Sequence, residues 1–152
     1  MINLTALAEQ VRDAIPLTRH LDFQLESFDG QTLTVTAPLA LNHNDKGTFF
    51  AGSQSALLTL AGWALTTLLA RQAGINADVV AVKTDLEYLL PLNSDIHITA
   101  TVIDEAQSQF EQRLGRRGKA TLRILAHGTS VNGTRVCEYQ GLYLARIGPH
   151  DS

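Results

Sequence analysis

The longest stretch without a charged side chain runs from residue 47 to residue 70, and residues 53–70 within it form one largely apolar segment. Its apolar positions cover nearly every side of a helix: Leu57, Leu60, Ala61, Trp63, Ala64, Leu65 and Leu68. The pattern predicts one long helix from near Gly52 to near Gly74, because a glycine commonly follows the last helical residue. A helix that is apolar almost all round must be wrapped by other elements. The chain is therefore expected to bury this helix at its centre.

Shorter segments alternate apolar and polar residues, which is the period of a half-buried strand. Two such segments flank Asp29-Gly30 and two flank Asn132-Gly133. Both dipeptides favour the tight turn of a β-hairpin. Two further segments, at residues 80–88 and 96–102, follow the long helix. The sequence thus predicts two strands before the helix and at least four after it.

Two more helices are predicted outside the central one. Residues up to about Ala14 form a first helix that Asn3 or Thr5 can cap and that Pro16 ends. Apolar residues at a spacing of four within residues 105–118 predict a short amphipathic helix.

The order of these elements predicts an α+β fold, in which one curled antiparallel sheet wraps around one long central helix. The sequence has no linker, internal repeat or low-complexity segment, so residues 1–152 are expected to form a single domain. The open edges of such a sheet favour pairing with a second copy.

Composition narrows the class of function. The chain has 152 residues, of which 45% are hydrophobic and 18% charged, and a formal net charge of -3. These values predict a packed core and no disorder. The one cluster of basic residues, at 116–119, is too short to bind a phosphate backbone, so we expect no nucleic-acid partner.

Two further features bear on compartment and cofactor. Seven of the 18 residues from 53 to 70 are Ser, Gln, Thr or Gly, which favours a helix buried in protein over a membrane span. The single cysteine, Cys137, excludes an internal disulfide, fits a reducing compartment such as the cytoplasm, and is expected to be a buried thiol. The histidines are not spaced like metal ligands, so no metal and no cofactor are predicted.

Two segments carry a resemblance to a known family: "NDKGTFFAGS", which opens the long helix, and "LEYLLPLNSDIHITATV", which follows it. The pattern resembles the hotdog fold, and in particular the thioesterase domain of the YiiD C-terminal type, which is found alone or fused behind GNAT-type acetyltransferases. The resemblance covers roughly residues 17–147. It implies an acyl thioester of coenzyme A or acyl carrier protein as substrate, bound at the interface of a homodimer or tetramer.

The resemblance assigns roles to residues around the start of the long helix. The amides of Ala51 and Gly52 would polarise the thioester carbonyl, because the first turn of a helix has unpaired N–H groups and a positive dipole end. Gly47 and Phe50 would help to form the substrate site. The alternative for the small pair is that it only permits a tight turn into the helix.

The preceding loop offers two polar candidates. Asn44 matches a position where related thioesterases carry an Asn that orients substrate or water, and its alternative role is an Asx-turn. Asp45 is a candidate general base, and its alternative role is to cap a turn or face a partner subunit.

One departure from the family matters for catalysis. Many hotdog thioesterases carry a carboxylate on the long helix, twelve residues after the glycine that corresponds to Gly47, and the residue there is Thr59. Phe50 replaces the histidine that precedes the small pair in relatives. A threonine hydroxyl is a poor base and needs a partner base to act as a nucleophile.

Three functions remain open at the level of sequence. The first is an acyl-thioester hydrolase in which Asn44 and Thr59 position water. The second is a binding module that holds an acyl thioester for a separate acyltransferase, which the missing carboxylate favours. The third is acyl transfer to an acceptor other than water.

Overall fold

The structure is a computed structural model, and it describes residues 2–148. The α-helices are α1 (Leu4–Ala14), α2 (Ala51–Gln72) and α3 (Gln107–Arg117). The strands are β1 (Gln24–Phe28), β2 (Leu33–Ala37), β3 (Asp78–Tyr88), β4 (Ile96–Val102), β5 (Lys119–Thr129) and β6 (Arg135–Arg146). Short 3-10 turns occupy Pro16–Leu21 and Ile103–Glu105.

The six strands form one antiparallel sheet in the order β1-β2-β4-β5-β6-β3. Helix α2 packs against five of them, β2 to β6. The α+β prediction is therefore confirmed, and so are both hairpins: β1–β2 across Asp29-Gly30 and β5–β6 across Asn132-Gly133.

Helix α2 forms the centre of the core. Thirteen of its 22 residues are buried, and Leu57, Leu58 and Leu65 have no exposed surface. Helix α2 buries more side chains than α1 or α3 does. Because each buried leucine side chain stabilises a fold by about 1.5–3 kcal/mol, α2 contributes the most to the core of the three helices. Helices α1 and α3 each present only one buried stripe, as amphipathic surface helices do.

The segment before β1 differs in part from expectation. Asn3 caps α1, since its side-chain oxygen accepts the N–H of Ala6 at 3.0 Å. Pro16 follows the end of the helix as predicted, but it also opens the 3-10 turn Pro16–Leu21, which periodicity did not reveal. Runs of this kind are too short to leave a periodic signature.

Strand β3 lies at one edge of the sheet and is exposed along most of its length. Its alternating valines do not form a buried face: Val79 is buried, whereas Val80 and Val82 are 55% and 56% exposed. The pairing with β6 shifts register between Ala81 and Lys83. An edge strand of 11 residues with exposed valines is unusual for a monomer, because such edges favour pairing.

Candidate active site

The loop that leads into α2 is held by the side chain of Asn44. Its oxygen accepts the N–H groups of Lys46 at 2.8 Å and Thr48 at 3.1 Å, and its nitrogen donates to the Thr48 hydroxyl at 2.8 Å. This is an Asx-turn extended by one residue. Gly47 has a φ of +79°, which favours glycine at this corner of the turn. The Asn44 side chain thus uses its oxygen and one of its two N–H groups to shape its own loop.

A second asparagine ties the loop to the body of the protein. Asn42 is buried, and its side-chain nitrogen donates to the carbonyls of Leu21 and Pro38. Its main-chain carbonyl accepts the N–H of Phe50 at 2.7 Å. The N–H of Phe49 donates to the Leu92 carbonyl at 2.7 Å. The residues just before α2 are therefore fixed on both sides.

Helix α2 begins without a cap. Phe50 occupies the cap position, and its side chain has no hydrogen-bond acceptor. The first main-chain bond of the helix runs from the N–H of Gln54 to the carbonyl of Phe50. Within residues 2–148, the N–H groups of Ala51, Gly52 and Ser53 have no hydrogen-bond partner. Such groups, together with the positive end of the helix dipole, attract anions and polarised oxygens.

The start of α2 is open to solvent. Ala51 and Gly52 are exposed, and the ring of Phe50, itself 53% exposed, rests over Gly52 so closely that an added Cβ would collide with it. Tyr88, at the end of β3, donates to the Ala51 carbonyl at 2.8 Å. The ring next to Gly52 is thus itself at the surface and is not part of the buried core.

An apolar groove of about 440 Å³ runs beside the middle of α2. Its walls are residues 15–21, one face of α2 that includes Thr59 and Trp63, residues 79–81 of β3, and Tyr143. The Trp63 indole donates to the Val79 carbonyl at 3.0 Å, which holds that wall to β3. A groove of this size and polarity fits an aliphatic chain.

Tyr143 of β6 lines this groove and contacts a second buried tyrosine, Tyr139. The Tyr143 hydroxyl donates to the Thr59 carbonyl at 2.8 Å, and the Tyr139 and Tyr143 hydroxyls are 2.5 Å apart. Burial raises the pKa of both tyrosines above the usual value, because the charged phenolate loses its hydration. Both hydroxyls are therefore protonated at neutral pH.

The predicted site residues fall into two groups in one chain. Asn44, Gly47, Phe50, Ala51 and Gly52 surround the start of α2. Thr59 lies in the wall of the groove, whose lining residues include none of that first group. The side chain of Asp45 is 80% exposed and pairs with Lys46, so this chain alone places it in solvent.

Two further properties of the described residues concern metal binding and membrane crossing. No group of three or more His, Cys, Asp or Glu side chains there is arranged to hold a metal ion. None of the helices within residues 2–148 combines the length and apolar character that crossing a bilayer requires.

The fold and the open helix start define a thioesterase-like architecture, and the family is shown directly. The model of the family described as "Putative thioesterase (yiiD_Cterm)" matches residues 4–147. The chain belongs to this family, and the resemblance inferred from the two sequence segments is confirmed.

Solved structures agree with this assignment. A "putative thioesterase from Shewanella oneidensis" is 26% identical, with a TM-score of 0.82, and the match covers 95% of this chain and 97% of that one. A Pseudomonas aeruginosa protein described as a "Probable Thioesterase" is 25% identical, with a TM-score of 0.77 and coverage of 97% and 99%. A thioesterase from Haemophilus influenzae is 17% identical, with a TM-score of 0.77 and coverage of 100% of this chain and 96% of that one. At this identity the match shows the fold alone. The fold is the hotdog fold.

Sequence reasoning missed the tyrosine pair and the 3-10 wall of the groove. A signal for the pair was present: Tyr139, Gly141 and Tyr143 lie at alternate positions and so share one face of a strand. A glycine between two aromatic residues on one face indicates that the rings fold over it, and an added Cβ at Gly141 would lie 2.6 Å from the Tyr139 hydroxyl.

Proposed function

We propose that the protein hydrolyses acyl thioesters of coenzyme A or acyl carrier protein, releasing the free acid and the carrier thiol. The observation that carries the proposal is the exposed, uncapped start of α2, with free N–H groups at Ala51, Gly52 and Ser53. The apolar groove beside the same helix supports it.

The free N–H groups suit a thioester carbonyl. As water attacks, the carbonyl oxygen gains negative charge, and fixed amide donors stabilise that charge without reorganising. Small side chains at Ala51 and Gly52 allow the oxygen to approach. The exposed Phe50 ring would swing aside or lie along the acyl chain, since it is not buried in the core.

The groove suits the acyl chain. Each buried CH₂ group contributes about 0.8 kcal/mol to binding, so a few carbons in the groove are enough to orient the thioester. In the reaction, the water oxygen bonds to the carbonyl carbon and the carbon–sulfur bond breaks. The departing sulfur takes the proton that the water gives up.

A homodimer would join the two groups of site residues. The start of α2 is bonded to the Tyr88 end of β3, whereas the groove is lined by residues 79–81 at the other end. Antiparallel pairing of two β3 edges brings the Tyr88 end of one copy beside the Val80 end of the other. The helix start of one copy would then face Thr59 of its partner, with Asn44 helping to place the water.

A second candidate is a binding module that holds an acyl thioester without hydrolysing it. It is favoured by the absence of Asp and Glu from α2 and by the engagement of Asn44 in its own loop. Acyl transfer to an acceptor other than water would require a further acceptor site.

Thiol release from a series of acyl-CoA chain lengths, repeated with acyl carrier protein, tests the proposal. We expect turnover that falls in Asn44→Ala, and rises in Thr59→Asp because a carboxylate then accepts the proton of water. Tight acyl-CoA binding without turnover in the wild type would instead establish the binding module.

The shared site has its own test. Gly52→Val and Thr59→Val are each expected to be inactive, but their 1:1 mixture should recover about a quarter of wild-type activity, because half of the dimers then carry one intact site. A mixture that stays inactive would show that each site lies within one chain.

The interface itself can be broken at β3. Val82→Lys should convert the dimer to monomers in light scattering, since it places a charge on the paired edge. Leu125→Lys is the matched control: Leu125 is 43% exposed but lies on β5 inside the sheet. Dissociation by both variants, or by neither, would contradict pairing at β3.

A further inference from the structure

The apolar groove beside α2 ends at a tryptophan. On the α2 side it is lined by four residues that share one face of the helix: Ala56, Thr59, Leu60 and Trp63. Four residues before Ala56, the same face reaches the exposed Gly52 at the helix start. Three and four residues after Trp63 it reaches Thr66 and Thr67, which are buried and are not part of the groove wall. Along α2, the groove therefore extends from the side of the helix start as far as Trp63.

The Trp63 side chain is fixed at this end of the groove. Its indole N–H donates to the carbonyl of Val79 at 3.0 Å, and Val79 itself lines the groove at the start of β3. The ring is half-buried and packs against the core. Moving the indole would break a hydrogen bond and disturb packed neighbours, so Trp63 is a fixed boundary of the groove.

The polar side chains in the groove wall offer little to a charged ligand. None of the described residues that line the groove has a charged side chain. The Thr18 hydroxyl donates to the Ile15 carbonyl at 2.7 Å, and the Tyr143 hydroxyl donates to the Thr59 carbonyl at 2.8 Å. A hydroxyl or an indole has one proton to donate, so Thr18, Tyr143 and Trp63 have each used theirs within the protein. A charged group entering the groove would lose its hydration without gaining any of these donors.

We infer that the groove takes an uncharged, straight alkyl chain of about six carbons, and that Trp63 sets this limit. The inference rests on the proposed function, which places the thioester carbonyl beside Thr59. From Thr59 to Trp63 the helix rises by about 6 Å, and an extended chain advances by about 1.2 Å per bond, so about five carbons beyond the carbonyl reach the indole. Trp63 is therefore a specificity-determining residue that meets the methyl end of the acyl chain.

The dependence of kcat/KM on acyl length tests the role of Trp63. For the wild type, kcat/KM should rise by about fourfold with each CH₂ group up to hexanoyl-CoA and fall beyond octanoyl-CoA. Trp63→Ala should move the maximum to decanoyl-CoA or longer, because the end of the groove is then open. Trp63→Phe keeps a ring in place and should move the maximum less. An unchanged length profile in Trp63→Ala would overturn the inference.

A matched control separates the groove from the core. Leu57 lies on the same helix, has no exposed surface and is not part of the groove wall. Leu57→Ala removes a large buried side chain, so it should lower the Tm, but it should leave the maximum of the length profile where the wild type has it. If Leu57→Ala moves the maximum as far as Trp63→Ala does, the profile reports only a loosened core and the inference fails.

A pair of substrates with equal carbon number tests the exclusion of charge. Adipoyl-CoA has the same number of acyl carbons as hexanoyl-CoA but ends in a carboxylate. Because the groove wall has no partner for that charge, kcat/KM should be lower for adipoyl-CoA by about 100-fold or more. Comparable values for the two substrates would show that the chain end is not held in this groove, and the inference would be wrong.

Fluorescence gives a readout that does not depend on turnover, because Trp63 is the single tryptophan of the chain. Bromine quenches an indole that it contacts. At millimolar concentrations, 6-bromohexanoate should quench the emission more strongly than 2-bromohexanoate, since only the first carries its bromine at the chain end. Equal quenching by both acids, or none by either, would overturn the inference. A protein without turnover that is quenched more strongly by 6-bromohexanoate would contradict only the proposed hydrolysis.

Discussion

Gly52 and Gly62 lie ten residues apart on α2, and their surroundings differ in one respect that matters. At Gly62 the space left by the missing side chain is filled by the hydroxyl of Tyr143, deep in the core. At Gly52 it is covered by the ring of Phe50, which is 53% exposed. One glycine accommodates the protein's own core, whereas the other leaves room that a surface ring covers only in part.

The difference shows how one helix serves two purposes. Around Gly62 the hydroxyls of the tyrosine pair all have partners, as buried polar groups require. Around Gly52 the helix keeps free N–H groups, although a Ser or Asp at position 50 would cap them. Helix α1, which the proposed reaction does not use, has such a cap in Asn3.

The largest effect is expected from Gly62→Ala. The new methyl group would overlap the Tyr143 hydroxyl and leave a buried hydroxyl without its partner, so the free energy of unfolding should fall by about 3 kcal/mol. Urea denaturation measures this change. An unchanged or raised stability would mean that the tyrosine contact is not tightly packed.

The same substitution at position 52 should behave differently. Gly52→Ala should keep or slightly raise stability, because alanine favours helices and the Phe50 ring can move. Thioester turnover should fall about tenfold, equivalent to about 1.4 kcal/mol, because the methyl group obstructs the approach of the carbonyl. Loss of stability instead of turnover would remove the distinction between the two glycines.

Capping α2 should trade activity for stability. Phe50→Ser supplies an acceptor for a first-turn N–H group and should raise the free energy of unfolding by about 1 kcal/mol, while lowering turnover because that group is no longer free. Asn3→Ala is the matched control on α1. It should lower stability by about 1 kcal/mol and leave turnover unchanged.

The smallest effect concerns Cys137, which reports on the core near the tyrosines. Burial raises the pKa of its thiol to about 11, so at pH 8 only about a thousandth is thiolate, and a thiol reagent should not react with the native protein. Gly62→Ala should increase the rate of labelling, whereas Gly52→Ala should not.

The same thiol gives a pH dependence of stability. Its pKa is higher in the folded protein than the ordinary value of 9.0, so its contribution is complete below pH 9 and decreases as the pH rises through about 11. Urea denaturation at increasing pH should show this decrease, and Cys137→Ala should reduce it.

Much of the fold could be predicted because it depends on local patterns. The apolar surface of α2, the caps and breakers around α1 and the two hairpin dipeptides each act within a few residues, and each prediction was confirmed. The burial of Cys137 followed from its strand pattern and was also confirmed. The family followed from two segments of sequence and was shown by the match over residues 4–147.

The candidate site was less accessible from sequence. Asn44, Ala51 and Thr59 could be named from the motif, but only the structure separates the helix start from the groove. The contact between Tyr143 and the Thr59 carbonyl joins β6 to α2, which are far apart in sequence. The exposure of Val80 and Val82 depends on β3 lying at the sheet edge, which alternation cannot indicate.

The sequence by itself determined that a long apolar helix must be enclosed by a sheet, because its side chains cannot remain in water. The tertiary structure decided which N–H groups stay free, which hydroxyls are locked together and which strand edge is open. Those properties depend on which neighbours each polar group finds when distant segments pack, and no local pattern specifies them.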